Sequence, residues 1–350
     1  MIELDGSFGE GGGQVLRTAL GLSCLLNKSF HIFNIRKKRK KPGLMPQHLM
    51  GIRASKLISG ANVSGDSEGS QELFFEPVEV KSGDYFFDIG TAGSTSLLLQ
   101  AILPPLVFAK GRSFITLKGG THVPFSPPFH YISEVFIPTL EKIGIMLETR
   151  IENYGFYPRG GGKISVDVNP SGGVIGINFL ERGGIKRIKG TSGVGNLPLH
   201  IAERQRDAAL RILATEELFA EIETLSVPAS GHGTFIFLKI EADDCIAGFS
   251  SLGERGKRAE LVGEEAARNF LNYYLSSACL DQHMADQIVL YLAVAEGESS
   301  FTTSQITSHL LTNLWAIGKF TDIKYEMKGD VGSQGMVTIR KHDSSSMSRN

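Results

Sequence analysis

The chain has 350 residues, of which 41% are hydrophobic and 21% charged, and its 36 Lys and Arg nearly balance 37 Asp and Glu, for a formal net charge of −1. That balance belongs to a globular protein able to bury a sizeable core, and it excludes binding to a polyanion through the overall field; any such contact must come from a local basic patch. No apolar run reaches transmembrane length, and the N-terminal stretch MIELDGSFGEGGGQ lacks the basic start and apolar core of a secretory signal, so an intracellular protein is expected.

In chain order, a Gly-rich turn precedes an amphipathic stretch that predicts a helix over 14–26, followed by an alternating strand at 30–35 and a helix at 47–59. Strands are expected at 72–80 and 85–89. A mostly apolar helix at 93–103 should be stopped or kinked by Pro104 and Pro105. A strand at 113–117, a helix at 133–143 and strands at 146–153 and 163–168 follow. The order is strand–helix–strand–helix–strand–strand, repeated with drift, which favours α+β layers with helices on mixed sheets.

The middle of the chain changes character. Residues 183–195 are rich in Gly, Lys and Ser, 199–221 read as a long polar-faced helix, strands are expected at 223–227 and 234–241, and a helix at 259–275 carries the stripe Val262, Ala266, Phe270 and Tyr274. Residues 184–277 therefore read as an inserted smaller α/β domain, with 1–183 and 278–340 forming the larger body and a Ser-rich, frayed tail at 341–350. Cys24, Cys245 and Cys279 are too far apart in sequence for a zinc knuckle or redox pair and are expected as buried thiols.

Four segments have residue types suited to chemistry. Glycines at 9–13, just before a helix, let backbone N–H groups approach an anion, although a ligand-free tight turn explains the pattern as well. Six consecutive cations, 36–41, repel one another and would be relieved by a polyanion; a solvated face or an import signal would also account for them. The loop 119–131 is dense in proline and aromatic rings, fit either to stack on a purine or to form a rigid crossover. As a helix, 303–317 has the apolar stripe Ile306, Leu310, Leu314 and Ile317, with His309 beside it among Gln305, Thr312 and Asn313. A lone histidine there is ordinarily structural unless a partner motif accompanies it. Asp286 and Gln287, at the expected start of an apolar helix over 288–295, could cap that helix, orient an imidazole or hold a metal.

The stretches GEGGGQVLRTAL after Asp5-Gly6-Ser7, NIRKKRKKPGLMPQHL, DIGTAGSTSLLLQ, GGTHVPFSPP, FYPRGGGK, HMADQ and SHLLTNLW, taken together and in this order, resemble the RNA 3′-terminal phosphate cyclase family. The resemblance implies three βαβαββ units, each with two helices on a four-stranded sheet, and a smaller α/β insertion. It also implies ATP as cosubstrate, a divalent metal (Mg or Mn), and RNA with a 3′-terminal phosphate as substrate. Histidine would attack the α-phosphate of ATP, pass AMP to the RNA phosphate, and the 2′-hydroxyl would close a 2′,3′-cyclic phosphate. The matching nucleophile is His309. Gln14, Arg17, Arg36, Arg39 and Gln47 match phosphate- and RNA-binding positions, and Glu10 the metal-side carboxylate. Gln100, Pro127, His283, Met284, Ala285, Asp286 and Gln287 match the ATP site, with Pro127 and His283 flanking adenine; His283 departs from the tyrosine of some relatives.

Three other readings compete: a non-catalytic cyclase-like factor in ribosome assembly, which would lack the nucleophile; an enolpyruvyl transferase, built of similar units without a covalent histidine; and a plain RNA-binding module. The expected compartment is the cytoplasm, with the nucleus open because of the basic run.

Overall fold

The computed structural model describes residues 1–341. The first unit is β1 (Ile2–Asp5), α1 (Gln14–Leu26), β2 (Phe30–Phe33), α2 (Pro46–Ser59), β3 (Asn62–Ser64) and β4 (Leu73–Glu76). Its sheet has the order β1-β2-β4-β3, with β1 and β2 parallel and the other pairs antiparallel. The second unit is β5 (Asp84–Asp88), α3 (Thr95–Val107), β6 (Ser113–Gly119), a helical segment α4 over 129–141, β7 (Leu147–Asn153) and β8 (Gly162–Val168), in the same order β5-β6-β8-β7. The third opens with β9 (Asn178–Phe179). Before it continues, the chain makes β10 (Ile185–Gly195), α5 (His200–Ala214), β11 (Glu221–Ser226), β12 (Gly233–Ala242), β13 (Ile246–Leu252) and α6 (Ala259–Ser276). The third unit then resumes with α7 (Gln282–Leu292), β14 (Ser299–Thr303), α8 (Ser308–Phe320), β15 (Ile323–Lys328) and β16 (Gly335–Lys341). Its sheet order, β15-β16-β14-β9, is the same pattern read from the other edge. The βαβαββ unit thus occurs three times, while the intervening segment has its own sheet, β11-β10-β12-β13.

Two-residue alternation builds each sheet's inner face. In β6, Ile115 and Leu117 are fully buried while Phe114 and Lys118 face out. The helices close over these faces. Helix α1 packs against α2, α3 and α8, so helices of all three units share one core through Leu16, Leu20, Leu99, Leu310 and Leu314. Ile236, Leu238, Val262, Ala266, Phe270 and Tyr273 form a second core between β12 and α6.

Several expected elements shift. The strand at 30–35 stops at Phe33 because Asn34 and Arg36 take positive φ, 55° and 54°. Pro104 and Pro105 do not stop α3, which runs to Val107. They lie in its last turns, and Leu103, Leu106 and Val107 are fully buried, so packing offsets the lost backbone hydrogen bonds. The helix expected at 133–143 starts at Phe129 and contains a wide turn over Ile132–Phe136. The helix expected to 221 ends at Ala214, and Glu217 turns the chain at φ 56° into β11. In α6 the buried ring is Tyr273, not Tyr274, because an i+4 stripe drifts off a 3.6-residue period. The Gly-rich stretch 183–195 is mostly strand β10. Lys341 closes β16, and the rest of the expected tail lies outside the described residues.

Candidate active site

The loop between β1 and α1 is fixed at its start by Asp5, whose carboxylate accepts from Ser7 N (2.9 Å), Ser7 Oγ (2.8 Å) and Asn34 Nδ2 (3.3 Å). Three consecutive loop residues then run along α8, each opposite a helix position three residues from the last. Phe8 stacks on Trp315 at 4.1 Å between ring centroids, Gly9 lies on Thr312, and Glu10 reaches His309, with Oε2 3.3 Å from Nε2. Residues three apart form a ridge on a helix surface, and the loop follows that ridge. A Cβ at Gly9 would lie 2.2 Å from Thr312 Oγ1, and Gly9 has φ +59°, so only glycine fits. At Gly13 a Cβ would meet His48 Nε2 at 2.5 Å. The first turn of α1 has no side-chain cap, so its N–H groups are free for an anion.

His309 sits in the first turn of α8. Thr307 caps the helix by accepting from Leu310 N (2.9 Å) and donates its hydroxyl to Asp286. Burial lowers the His309 pKa below the ordinary histidine value; nearby Arg17, His283 and Arg39 push it the same way, and Glu10 opposes them. The ring is therefore neutral near pH 7. Its Nδ1 is buried without a hydrogen-bond partner, leaving Nε2 as the accessible nitrogen. Asn313, one turn on, accepts from Gln14 Nε2 (2.9 Å) and Thr18 Oγ1 (2.7 Å) and donates to the Asp286 carbonyl. Arg17 donates to Gln14 Oε1. Its Nε is buried and unpartnered, and burial brings its pKa down to about 10, which still leaves it charged at neutral pH.

A cleft of about 720 Å³ opens beside His309. One wall is made by Gln14, Arg17, Gln100, Pro127, His283 and Asp286, the other by 248–254 around β13 and by Asn269 and Asn272 on α6. Gln100 Nε2 donates to Gln287 Oε1 (2.7 Å), and Gln287 Nε2 to the His283 carbonyl (2.8 Å). The Asp286 carboxyl is held well above the carboxylate range by burial.

The expected residues divide into three groups. Gln14, Arg17, Gln100, Pro127, His283, Asp286, Gln287 and His309 line the cleft together. Glu10 and Arg39 lie outside the cleft lining, with Arg39 Nη2 3.7 Å from Glu10 Oε2 and 3.2 Å from where a Cβ on Gly12 would sit. Arg36 turns to its own loop, donating to the Gly43 carbonyl at 3.1 Å, and Gln47 lies against Gly93 at the entry to α3. Met284 and Ala285 are fully buried in the core and do not face the cleft, since they occupy the inner side of α7. Nor do Asp286 and Gln287 begin that helix. It starts at Gln282, and its cap is Asp281, which accepts from His283 N (2.9 Å) and Met284 N (3.0 Å). The sequence marks Asn313 only as a helical neighbour of His309 and assigns no part to Thr18, His48 or Thr307. Nor does it mark Asn269 and Asn272, which line the cleft from α6; their i, i+3 spacing on an amphipathic helix is the available signal.

Fold and site together define a repeat-built α+β protein with a nucleotide-sized cleft, a neutral histidine at its edge, and arginines and free helix N–H groups around it. The family model described as RNA 3′-terminal phosphate cyclase matches residues 8–327. A protein of that name from Methylococcus capsulatus is 42% identical over 97% of this chain and 96% of its own length. Proteins of the same name from Saccharolobus solfataricus and Sulfolobus acidocaldarius are 45% and 46% identical, each over 94% of this chain and 97% of the relative. The chain belongs to the RNA 3′-terminal phosphate cyclase family, a family of enzymes.

Proposed function

We propose that this chain uses ATP to convert an RNA 3′-terminal phosphate into a 2′,3′-cyclic phosphate, by way of AMP carried on His309. The observation that carries this reading is the His309 imidazole, neutral by burial and with Nε2 accessible between the cleft and Glu10. In the first step Nε2 bonds to the α-phosphorus, the bond to the bridging oxygen breaks, and pyrophosphate leaves. An oxygen of the RNA 3′-phosphate then attacks the same phosphorus and frees the imidazole. Finally the 2′-oxygen attacks the activated 3′-phosphorus, loses its proton and expels AMP. Each step concentrates negative charge, which Arg17, Arg39 and the free N–H groups of α1 are suited to stabilise.

Gln14, Gln100 and Gln287 would supply neutral hydrogen bonds to the nucleotide, and Pro127 and His283 would flank the base. Residues 184–277 act as an inserted domain that supplies the outer wall of the nucleotide site. Among the described residues, no group of three or more His, Cys, Asp and Glu is placed to hold a metal. A phosphate-bound Mg²⁺ or Mn²⁺ needs less from the protein, since it keeps waters and phosphate oxygens. Glu10, with a side chain 41% exposed beside His309, fits a single-carboxylate role. Such an ion would neutralise charge on the phosphates. Among the described residues no helix is long and apolar enough to cross a membrane.

The test is incubation with α-labelled ATP and a divalent metal. Label should appear on the protein as an acid-labile, alkali-stable adduct, be absent from His309→Ala, and be discharged by RNA with a 3′-phosphate. A folded wild-type chain that takes up no label with any of several metals would sink the catalytic reading and favour a non-catalytic cyclase-like role.

A further inference from the structure

We infer that the Phe8–Trp315 stack is a platform for a nucleobase at the 3′ end of the RNA strand; this rests on the function proposed above. Phe8 lies with its ring 11° from the plane of Trp315, the only tryptophan in the chain, and yet remains 38% exposed. Besides seating the loop on α8, the Phe8 ring stacks on Trp315 by one face and leaves part of its surface open to solvent. It is suited to stack on any base, because every base has a π-face.

Position and charge select the ligand. The loop holds Phe8 two residues from Glu10, which touches His309, and Trp315 is six residues along α8 from His309, about 9 Å of axial rise. The nucleotide cleft includes neither Phe8, Trp315, Glu10 nor Arg39, so its occupant leaves this side of His309 free. The free side carries the cations Arg39, Lys38 and Lys319 around the carboxylates of Glu10 and Asp5. Lys319 Nζ stands 5.7 Å from the Trp315 ring centroid, and Lys38 packs against Gly11, its Cβ 3.6 Å from where a Cβ there would sit. Within the run 36–41, Arg36 and Arg39 have hydrogen-bonding or ionic partners, and the four lysines make no ion pair among the described residues. A strand whose terminal phosphate sits by Glu10 and Arg39 can lay a base on Phe8 while its backbone follows the lysines.

The experiment compares binding of two oligoribonucleotides with a 3′-phosphate, identical except that one lacks its terminal two bases. Anisotropy of a 5′ dye measures affinity, and Trp315 emission is read in parallel. The intact strand should bind wild-type protein roughly 5- to 50-fold tighter than the abasic one and quench Trp315. Phe8→Ala should lose most of that difference, and Phe8→Trp should keep it. Equal affinity of both strands for wild type overturns the proposal, as does a Phe8→Ala loss of the same size for both strands. Cyclisation is followed separately: if wild type binds as expected but never cyclises, the proposed function fails while the platform stands.

Discussion

At the scale of single residues, the site depends on how closely two pieces of backbone approach. Gly9 is needed twice over, for its positive φ and because Thr312 fills the space of any side chain. Gly9→Ala should lower the rate of His309 adduct formation about 100-fold, since displacing a reacting group by about 1 Å can cost that much. It should also lower stability by about 2–4 kcal/mol, from backbone strain and the overlap with Thr312 together. Label uptake and urea melts measure the two effects; a variant with wild-type label uptake would remove the loop from the site. The glycine cluster was visible in the sequence, but why Gly9 must be glycine depends on Thr312, 303 residues away. The same holds for His309. Periodicity put it beside an apolar stripe, but its lowered pKa comes from burial and from Arg17, His283 and Arg39, which the fold brings together from three other segments.

At the scale of elements, Asp281 shows how a cap can join parts of the fold. Its buried carboxyl accepts from two N–H groups of α7 and from Tyr131 Oη at 2.8 Å, linking the second and third units. Asp281→Ala removes the cap and leaves the Tyr131 hydroxyl without a partner, so it should destabilise the protein by about 2–4 kcal/mol. Asp281→Asn keeps the acceptor and should cost about 1 kcal/mol. Urea denaturation of both variants checks this; equal losses would mean that the charge, not the hydrogen bonding, matters. The apolar pattern alone pointed to Asp286 as the helix start, because the polar first turn of α7 faces the cleft and breaks the stripe. Pro104 and Pro105 misled in the opposite direction: local propensity argued for a stop, and tertiary burial overrode it.

For the whole molecule, the second unit meets the segment 184–277 around a buried histidine pair. His122 Nε2 is 2.9 Å from His130 Nδ1, and both rings lie against Phe235 and Tyr154. Burial lowers the pKa of both, that of His130 to about 4. The unfolded chain therefore takes up these protons first as pH falls, so the stability they contribute is present above about pH 6.5 and lost towards about pH 4. Between pH 7 and pH 5, His130 alone should cost about 2 kcal/mol. Burial raises the pKa of Asp281 and Asp286, which act in the opposite sense, so the useful quantity is a difference between proteins. A His122→Phe/His130→Phe double variant should lose much less stability than wild type between pH 7 and pH 5, measured by urea melts. An unchanged slope would mean that other groups set the acid limit.

Composition, periodicity and motif order were enough for the α+β class, the α1 helix boundaries, the change of character after 183, and, through seven short stretches in order, the family. Those are local properties: turn chemistry, periodicity and residue identity survive without knowledge of the partner. Tertiary structure alone decided which expected residues share a surface. It joined Gln14, Gln100, Asp286 and His309 across three units, turned Met284 and Ala285 into the core, and left Glu10 and Arg39 outside the cleft lining. The physical reason is that a site is made of long-range contacts, and a helix fixes only which residues share a face, not what that face will meet.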